Sequence, residues 1–528
     1  MSKEKEIVIK KSILHFYPRE LKDSSLVLPV FQETTNEEIQ TILEKKEEYF
    51  REDLFFKKKV GEIYQKENLI FLGLGERKKF HLEILFNAFR SFGANLSLSG
   101  PSKITILFPF YLEETLIELA NKINKNDPFL LENENKKNSE FYLFDYITSF
   151  GLEESLKTMI FALEVGSYSL GIYKTTKNSI KTKIEIGFRI NLTQKQTQDI
   201  SNEAKSIAEL INLYRYIASL PGNILNPETY EAFIKKIIKN YKLRIKILQE
   251  KDLKKLGMNG VLSVGSGSKT PPRVILLEYH PKNTLNQKPV LLCGKGITFD
   301  TGGISLKPAQ DMHEMKYDMS GSALTLFSVI IASILKVEYP VIGILGLAEN
   351  IPDARASRPG DVYYSYNGTS VEIQNTDAEG RLVLGDILSY GIKKYSPKIV
   401  MDFATLTGAC IIALGHFATG IMCTSDSLYK KIETASYRSL ERVWRLPHWS
   451  IYDEQLKSDI ADLKNIGGRP AGSITAMRFL AKFVPSDIPW AHFDIAGTAW
   501  LPNGPEYAKG ATGWGIRLMS ELFKILNH

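Results

Sequence analysis

The sequence predicts an α/β protein of two domains, and three observations lead to this prediction. A chain of 528 residues is too long for one hydrophobic core, which favours two domains. Short strand-like runs alternate with helical stretches along the chain. In the second half, successive strand patterns are mostly separated by helical stretches, which is typical of a doubly wound sheet.

The predicted N-terminal domain, residues 1–193, has an α/β pattern without a catalytic constellation. Its predicted strands are Ser25–Phe31, Asn68–Leu74, Lys103–Phe110 and Ile184–Ile190. Its predicted helices are Glu37–Phe50, Leu82–Ser91 and Glu114–Ala120. The polar segments Asn121–Asp127 and Glu132–Asn138 predict an exposed loop.

A long amphipathic helix, residues 194–220, is the predicted linker, and Pro221 and Gly222 end it. Residues 221–528 form the predicted second domain. Its strand patterns lie at Arg244–Leu248, Arg273–Tyr279, Pro289–Cys293, Tyr339–Leu347 and Ile399–Phe403.

One cluster of charged residues lies in the octapeptide NTDAEGRL, residues 375–382. It joins a strand-like stretch to a helical one, and such turns often carry the sites of α/β enzymes. Residues two apart in an extended segment point to one side, so Asp377 and Glu379, with Arg381 next, are expected to face the same way. The alternative is a helix start with Asp377 as its cap and Arg381 in a surface ion pair.

A second cluster follows the apolar run that ends at Cys293. Residues 294–308 read GKGITFDTGGISLKP, and residues 313–319 read HEMKYDM. A glycine-rich turn with solvated charges is one interpretation, but it does not explain a lysine directly after a core strand. The spacing excludes a phosphate-binding loop and a Gly-x-Ser-x-Gly elbow. Tyr317 stands where a zinc-protease helix needs its second histidine.

The two clusters together supply four carboxylates, which are Asp300, Asp318, Asp377 and Glu379, accompanied by Lys295. At ~4 Å each like-charge pair costs about 4 kcal/mol at an effective dielectric constant near 20. Four such groups therefore converge readily only around divalent cations, and two ions would balance them. Lys295 can ligate only as a neutral amine, which a nearby dication would favour.

These residues closely resemble the leucyl aminopeptidases of the cytosol type, peptidase family M17. The resemblance rests on both clusters and continues through residues 404–409 (ATLTGA), 458–467 (SDIADLKNIG) and 490–497 (WAHFDIAG). It covers about Leu220 to the C-terminus. It implies a smaller N-terminal α/β domain, a linker helix and a larger C-terminal catalytic α/β domain with a largely parallel, doubly wound sheet.

The resemblance also implies roles for individual residues. Two divalent ions per subunit are expected, zinc or manganese, with magnesium or cobalt as further candidates. The tighter ion would bind Lys295, Asp300, Asp318 and Glu379, and the more exchangeable ion would bind Asp300, Asp377 and Glu379. A water between the ions would lose a proton and become the nucleophile.

Two positively charged side chains and four pocket residues complete the implied site. Lys307 would face the scissile carbonyl oxygen, and Arg381 would hold a bicarbonate ion that acts as general base. The alternative for both is ordinary surface charge. The residues implied to line the pocket for the first side chain are Met315, Thr405, Gly408 and Ala496. Ser320, Ser322 and Gly385 differ from the residues that the family usually has at these positions, and the two serines leave the finer substrate preference open.

The expected function is therefore an aminopeptidase that releases N-terminal leucine and other apolar residues from peptides. The family resemblance implies a homohexamer. The three cysteines have no metal-ligand spacing, which favours free thiols in a reducing compartment. No signal-peptide pattern and no apolar run near ~20 residues is found, so a cytoplasmic protein without a membrane span is expected.

Two other functions stay open. A net charge of +7 and a pI near 8.8 allow an additional DNA-binding or regulatory role. The Lys and Arg residues are spread along the chain, often beside Glu, which is more typical of a solvated surface. A catalytically inactive peptide-binding homologue is the other alternative, and it is disfavoured because every expected ligand is present.

Overall fold

The computed structural model describes residues 14–44, 56–109, 111–112, 114–115, 151–168, 173–175, 183–282, 284, 287–505 and 508–527. The chain forms two compact units. One lies mainly within Lys10–Asn212, and the other within Leu213–Gly504 and Lys509–His528. The domain boundaries given above stay a prediction.

The first unit is built on a six-stranded sheet. Its strands are β1 (Leu14–Tyr17), β2 (Ser25–Val30), β3 (Ile63–Lys66), β4 (Leu69–Gly73), β5 (Lys103–Leu107) and β6 (Ile184–Arg189), in the order β1-β6-β5-β2-β4-β3. All neighbours are parallel except β3 and β4. Its helices are α1 (Asn36–Leu43), α2 (Leu82–Leu98) and α3 (Leu152–Gly166), and α4 (Gln194–Ala218) follows.

Apolar residues at helical spacing explain the longest of these helices. In α2, Leu82, Leu85, Phe89 and Phe92 are buried at intervals of three and four residues. The predicted loop at residues 121–138, most of the predicted helix at residues 114–120 and residues 45–50 of another predicted helix lie outside the described residues.

The second unit contains an eight-stranded sheet and two small ones. Its strands are β7 (Arg244–Leu248), β8 (Arg273–Tyr279), β9 (Val290–Asp300), β10 (Val341–Asn350), β11 (Val362–Tyr364), β12 (Ser370–Glu372), β13 (Ile399–Ala404), β14 (Thr419–Cys423), β15 (Val443–Arg445), β16 (Leu463–Lys464), β17 (Trp490–Asp494), β18 (Trp500–Leu501) and β19 (Gly510–Ala511). Its helices are α5 (Pro227–Ile237), α6 (Glu250–Leu256), α7 (Asn259–Gly265), α8 (Ser320–Leu335), α9 (Gly380–Tyr395), α10 (Gly408–Leu414), α11 (Asp426–Ser439), α12 (Gly472–Ala481) and α13 (Ile516–Leu526).

The order of the large sheet is β15-β14-β17-β13-β9-β10-β8-β7. Its central strands β17, β13, β9 and β10 are parallel, whereas β14 is antiparallel to β17, and β8 is antiparallel to both β10 and β7. Helices α8 and α9 pack against β9, at Gly294 and at Leu291 respectively. Adjacent residues of a strand alternate between faces, and these two positions are three apart, so the helices cover opposite faces. The predicted α/β, doubly wound class is confirmed.

Strand β9 is longer than the sequence indicated. The apolar run predicted a strand that ends at Cys293, but the strand continues to Asp300 because β10 pairs with it from Val290 to Ile297 and, after a register shift, at Asp300. Gly294 is needed inside this strand, since a Cβ there would lie 2.5 Å from the Gly321 carbonyl oxygen of α8. The interpretation as a turn is therefore wrong for residues 294–300, and Lys295 lies within a core strand.

Within the described part of the chain, one helical stretch, Met312–Leu335, is long and apolar enough to cross a membrane, with a mean hydropathy of 1.6. It contains α8, which packs on the central sheet, and 83% of its most apolar window is buried inside the protein. This burial is typical of the core helix of a globular domain.

Candidate active site

The predicted site residues come from five chain segments at one end of the central strands, the last being Ala496 just after β17. Asp300 ends β9, and Asp318 follows a short 3₁₀ helix, Met312–Tyr317, that leads into α8. Glu379 lies directly before α9, and Thr405 directly after β13. Because β9 and β13 are parallel, their carboxyl ends meet at the same edge of the sheet, where α/β proteins commonly bind ligands.

The octapeptide forms a turn and the first residues of a helix. Glu379 has helical backbone angles (φ −81°, ψ −35°), and α9 begins at Gly380. The assumption of an extended segment was therefore wrong, although Asp377, Glu379 and Arg381 all line one cavity. The helix-cap alternative is also wrong, since no side chain caps α9 and Arg381 is only 5% exposed.

Three carboxylates converge at this edge. One oxygen from each of Asp300, Asp377 and Glu379 lies within 4.8 Å of the others. Lys307 contacts two of them, with its Nζ 2.9 Å from Asp300 Oδ2 and in close contact with Asp377 Oδ1. Among the described residues, these three carboxylates form the group that meets the distance requirement for a metal site.

Lys295 and Asp318 lie beside this group and, like Asp300 and Glu379, are buried. Lys295 Nζ lies 2.8 Å from Asp318 Oδ1 and 2.8 Å from Glu379 Oε1. It also donates to the Thr405 carbonyl oxygen at 2.9 Å. Thr405 Oγ1 donates to Asp318 Oδ1 at 2.6 Å, which fixes that carboxylate. The structure thus brings all five predicted metal ligands into one cluster.

The pKa values report how strongly these charges interact. Burial, reinforced by Asp300 and Glu379, raises the pKa of Asp377 to about 6, although Lys307 opposes the shift. Burial also raises the pKa of Asp318 well above its usual range. Burial disfavours the charge on Lys295, but the adjacent carboxylates outweigh it and raise the pKa of Lys295. The carboxylates therefore require compensating positive charge. In the protein without bound metal, Lys295 and Lys307 supply it.

The donor set fits divalent cations. Asp318 Oδ2 and Glu379 Oε2 are buried and have no hydrogen-bond partner among the described residues. An unpaired buried carboxylate oxygen is costly, so each is suited to accept a cation. Carboxylate oxygens are ligands for magnesium and manganese, and they also bind zinc.

A cavity of about 410 Å³ opens onto the cluster. The four residues predicted to line the side-chain pocket, Met315, Thr405, Gly408 and Ala496, all line it. Among the residues that sequence reasoning did not assign to the pocket are Leu406, Ile411, Ile466 and Arg469. Ser320 and Ser322 are fully buried within α8 and are not among its lining residues.

Asn465 was missed by sequence reasoning. It is fully buried, and its Oδ1 accepts hydrogen bonds from the backbone N–H groups of Gln374 (2.8 Å) and Asn375 (3.2 Å). Its Nδ2 donates to the carbonyl oxygens of Asn375 (2.6 Å) and Ala378 (3.3 Å). Its own carbonyl accepts from Arg381 Nη1 at 2.7 Å. One residue therefore fixes the turn on both sides of Asp377 and holds Arg381.

We expect Asn465→Ala to weaken manganese binding about tenfold or more, because groups that orient metal ligands typically contribute this much. Calorimetric titration of the metal-free protein with Mn²⁺ measures the affinity, and near-ultraviolet circular dichroism checks the fold. Asn202→Ala removes an exposed amide on α4 and is the control. Unchanged manganese affinity in folded Asn465→Ala protein contradicts this role.

Comparison with known proteins agrees with the sequence motifs. Residues 212–520 match the family described as "Cytosol aminopeptidase family, catalytic domain". A probable cytosol aminopeptidase of Thioalkalivibrio sulfidiphilus is 49% identical over 325 residues, 61% of this chain and 64% of that protein. One of Nitrosospira multiformis is 45% identical over 342 residues, 64% of this chain and 65% of that protein. The chain thus spans less than two thirds of the length of these relatives.

A solved structure is similar over nearly the whole chain. The bottromycin maturation enzyme BotP, in complex with Mn, superposes with a TM-score of 0.77 at 26% sequence identity and covers 95% of this chain and 99% of its own. The family resemblance predicted from the two clusters is confirmed. The chain belongs to the cytosol aminopeptidase family, peptidase family M17.

Proposed function

We propose that this protein is a metal-dependent aminopeptidase that removes N-terminal residues, leucine and other apolar residues among them, from peptides. One observation carries the proposal. Four carboxylates, two lysines and a buried arginine line one cavity, whose other lining residues include apolar side chains. The catalytically inactive alternative is not favoured, because all the expected ligands lie in this cluster.

Two divalent ions fit the cluster. Lys295, Asp300, Asp318 and Glu379 would hold one ion, and Asp300, Asp377 and Glu379 the other, so two carboxylates would serve both. Zinc and manganese are the proposed ions, with magnesium or cobalt as alternatives. The complex of BotP with Mn supports manganese. When bound, such ions polarise a carbonyl group and lower the pKa of water.

Lys307 is proposed to stabilise the oxygen of the scissile carbonyl as it gains negative charge. Both lysines line the cavity, but the side chain of Lys307 is 21% exposed and that of Lys295 is only 3% exposed. An ammonium group at the cavity surface can meet a substrate oxygen. The two lysines therefore have different proposed roles, Lys295 as ligand and Lys307 in catalysis.

Arg381 is proposed to hold a bicarbonate ion that acts as general base. Its Nη1 donates to Asn465, while its buried Nε has no partner among the described residues. Burial lowers the pKa of Arg381 to about 10, which leaves the guanidinium charged at neutral pH. A fixed, partly unpaired guanidinium suits a planar anion.

The remaining parts of the proposal rest on family membership. Met315, Thr405, Gly408 and Ala496 would receive the side chain of the first residue. Peptides are the proposed substrates, the cytoplasm the proposed compartment and a homohexamer the proposed assembly.

The free α-amine of the substrate is expected to be essential, because a neutral amine can bind a metal ion and an acetylated amine offers no comparable donor. Leucyl-glycine and N-acetyl-leucyl-glycine are compared after reconstitution with Zn²⁺ or Mn²⁺, and leucine release is measured. We expect release from the unblocked peptide only, and we expect a D-leucyl peptide to resist cleavage. Comparable hydrolysis of the acetylated peptide contradicts the assignment as an aminopeptidase.

A further inference from the structure

One wall of the cavity is a loop that is anchored on both sides of Arg469. The loop connects β16 to α12. On one side, Asn465 is fully buried and Gly468 N–H donates to Gln455 Oε1 at 3.0 Å. On the other, Gly472 begins α12 so close to α10 that an added Cβ would lie 3.1 Å from Ala409 Cβ. The backbone at Arg469 is therefore held in place at the cavity wall.

Arg469 differs from the other cations that line the cavity. Lys295 and Lys307 bond to carboxylates, and Arg381 bonds to the Asn465 carbonyl. Arg469 is exposed, and within the described ranges no carboxylate or carbonyl oxygen accepts a hydrogen bond from it. The cavity thus offers one unused guanidinium group at its solvent side.

The proposed reaction determines which part of a bound peptide lies near the Arg469 guanidinium. The α-amine and scissile carbonyl of the substrate must lie at the carboxylate cluster, so the rest of the peptide extends away from it. A volume of about 410 Å³ lies near the lower end of the roughly 300–1,000 Å³ typical of ligand pockets. A short peptide in this space places its C-terminal carboxylate toward the exposed end. A guanidinium fork is matched to a carboxylate.

We infer that Arg469 binds the free C-terminal carboxylate of short peptides and makes them the preferred substrates. This inference rests on the proposed aminopeptidase function and deepens it. It assigns Arg469 to substrate selection, separate from the residues that perform the chemistry.

The test compares two substrates that differ only at the C-terminus, leucyl-glycine and leucyl-glycinamide, in wild type and Arg469→Ala protein. We expect Arg469→Ala to raise KM for leucyl-glycine about five- to tenfold, to change kcat less than twofold and to leave leucyl-glycinamide unaffected. Arg469→Lys should recover part of the difference. Arg244→Ala removes an exposed arginine on β7 and is the matched control.

The outcomes separate this inference from the proposed function. An equal effect on both substrates would show that Arg469 only shapes the wall, and no effect on either would show that it is unused. Both results overturn the inference while wild-type hydrolysis still supports the aminopeptidase. Failure of metal-loaded wild type to hydrolyse either substrate overturns the proposed function and this inference with it.

Discussion

Asp300→Ala protein is expected to lose both its bound metal and its turnover, and Glu379→Ala should behave in the same way. Both carboxylates belong to the two proposed ligand sets, so either change removes a shared ligand. Turnover should fall at least about 10³-fold, because bound metal contributes several kcal/mol to the transition state and each 1.4 kcal/mol is a factor of ten. Metal content is measured by mass spectrometry beside leucyl-glycine hydrolysis.

Asp377→Ala provides the internal comparison, since this residue belongs to only one ligand set. It should mainly empty the more exchangeable site. Asp353→Ala removes an exposed loop carboxylate and should change neither metal content nor turnover. Chelation of the wild-type protein should abolish activity reversibly. Full activity of Asp300→Ala protein after metal removal would exclude the two-metal proposal.

Lys307→Ala is expected to lower kcat by a factor on the order of 10² or more while metal stays bound. Lys307 contacts Asp300 and Asp377, so its charge repels a cation held by the same carboxylates. Removing it should therefore leave metal content undiminished, in contrast to Asp300→Ala. Steady-state kinetics and metal analysis on the same preparations separate the two effects.

The pattern of kcat and KM decides the role of Lys307. A variant that keeps its kcat and shows only a higher KM would make Lys307 a substrate-binding residue. Lys288→Ala, which removes an exposed lysine just before β9, is the control for general loss of positive charge.

Strands with clear apolar boundaries were well predicted from the sequence. β7 and β8 have the predicted bounds, Arg244–Leu248 and Arg273–Tyr279. β14, β15 and β17 were not predicted, although all three belong to the same sheet. These strands are short, and a strand of this kind is stabilised by its neighbours more than by its own sequence.

The site shows a different limit of sequence reasoning. The carboxylates were identified because their residues stand in two compact motifs. Asn465 stands in the stretch 458–467 of the family resemblance, but its role was not indicated there, because its partners Asn375 and Ala378 are about 90 residues away and are joined to it only by the fold. The continuation of β9 to Asp300 likewise depends on its pairing with β10. The glycines after Cys293 hid this continuation in the sequence pattern. Pairing and burial are properties of the folded chain.

The position of β17 has a consequence for synthesis on the ribosome. This strand is formed by residues 490–494, late in the sequence, yet it lies between β13 and β14 inside the large sheet. Until it emerges, β13 lacks one of its two neighbours, and Ala496, which lines the cavity, has not been made. A nascent chain therefore cannot complete the cavity beside β13 before residues 490–496 have been synthesised. The proposed peptide cleavage would therefore begin only after β17 has joined the sheet.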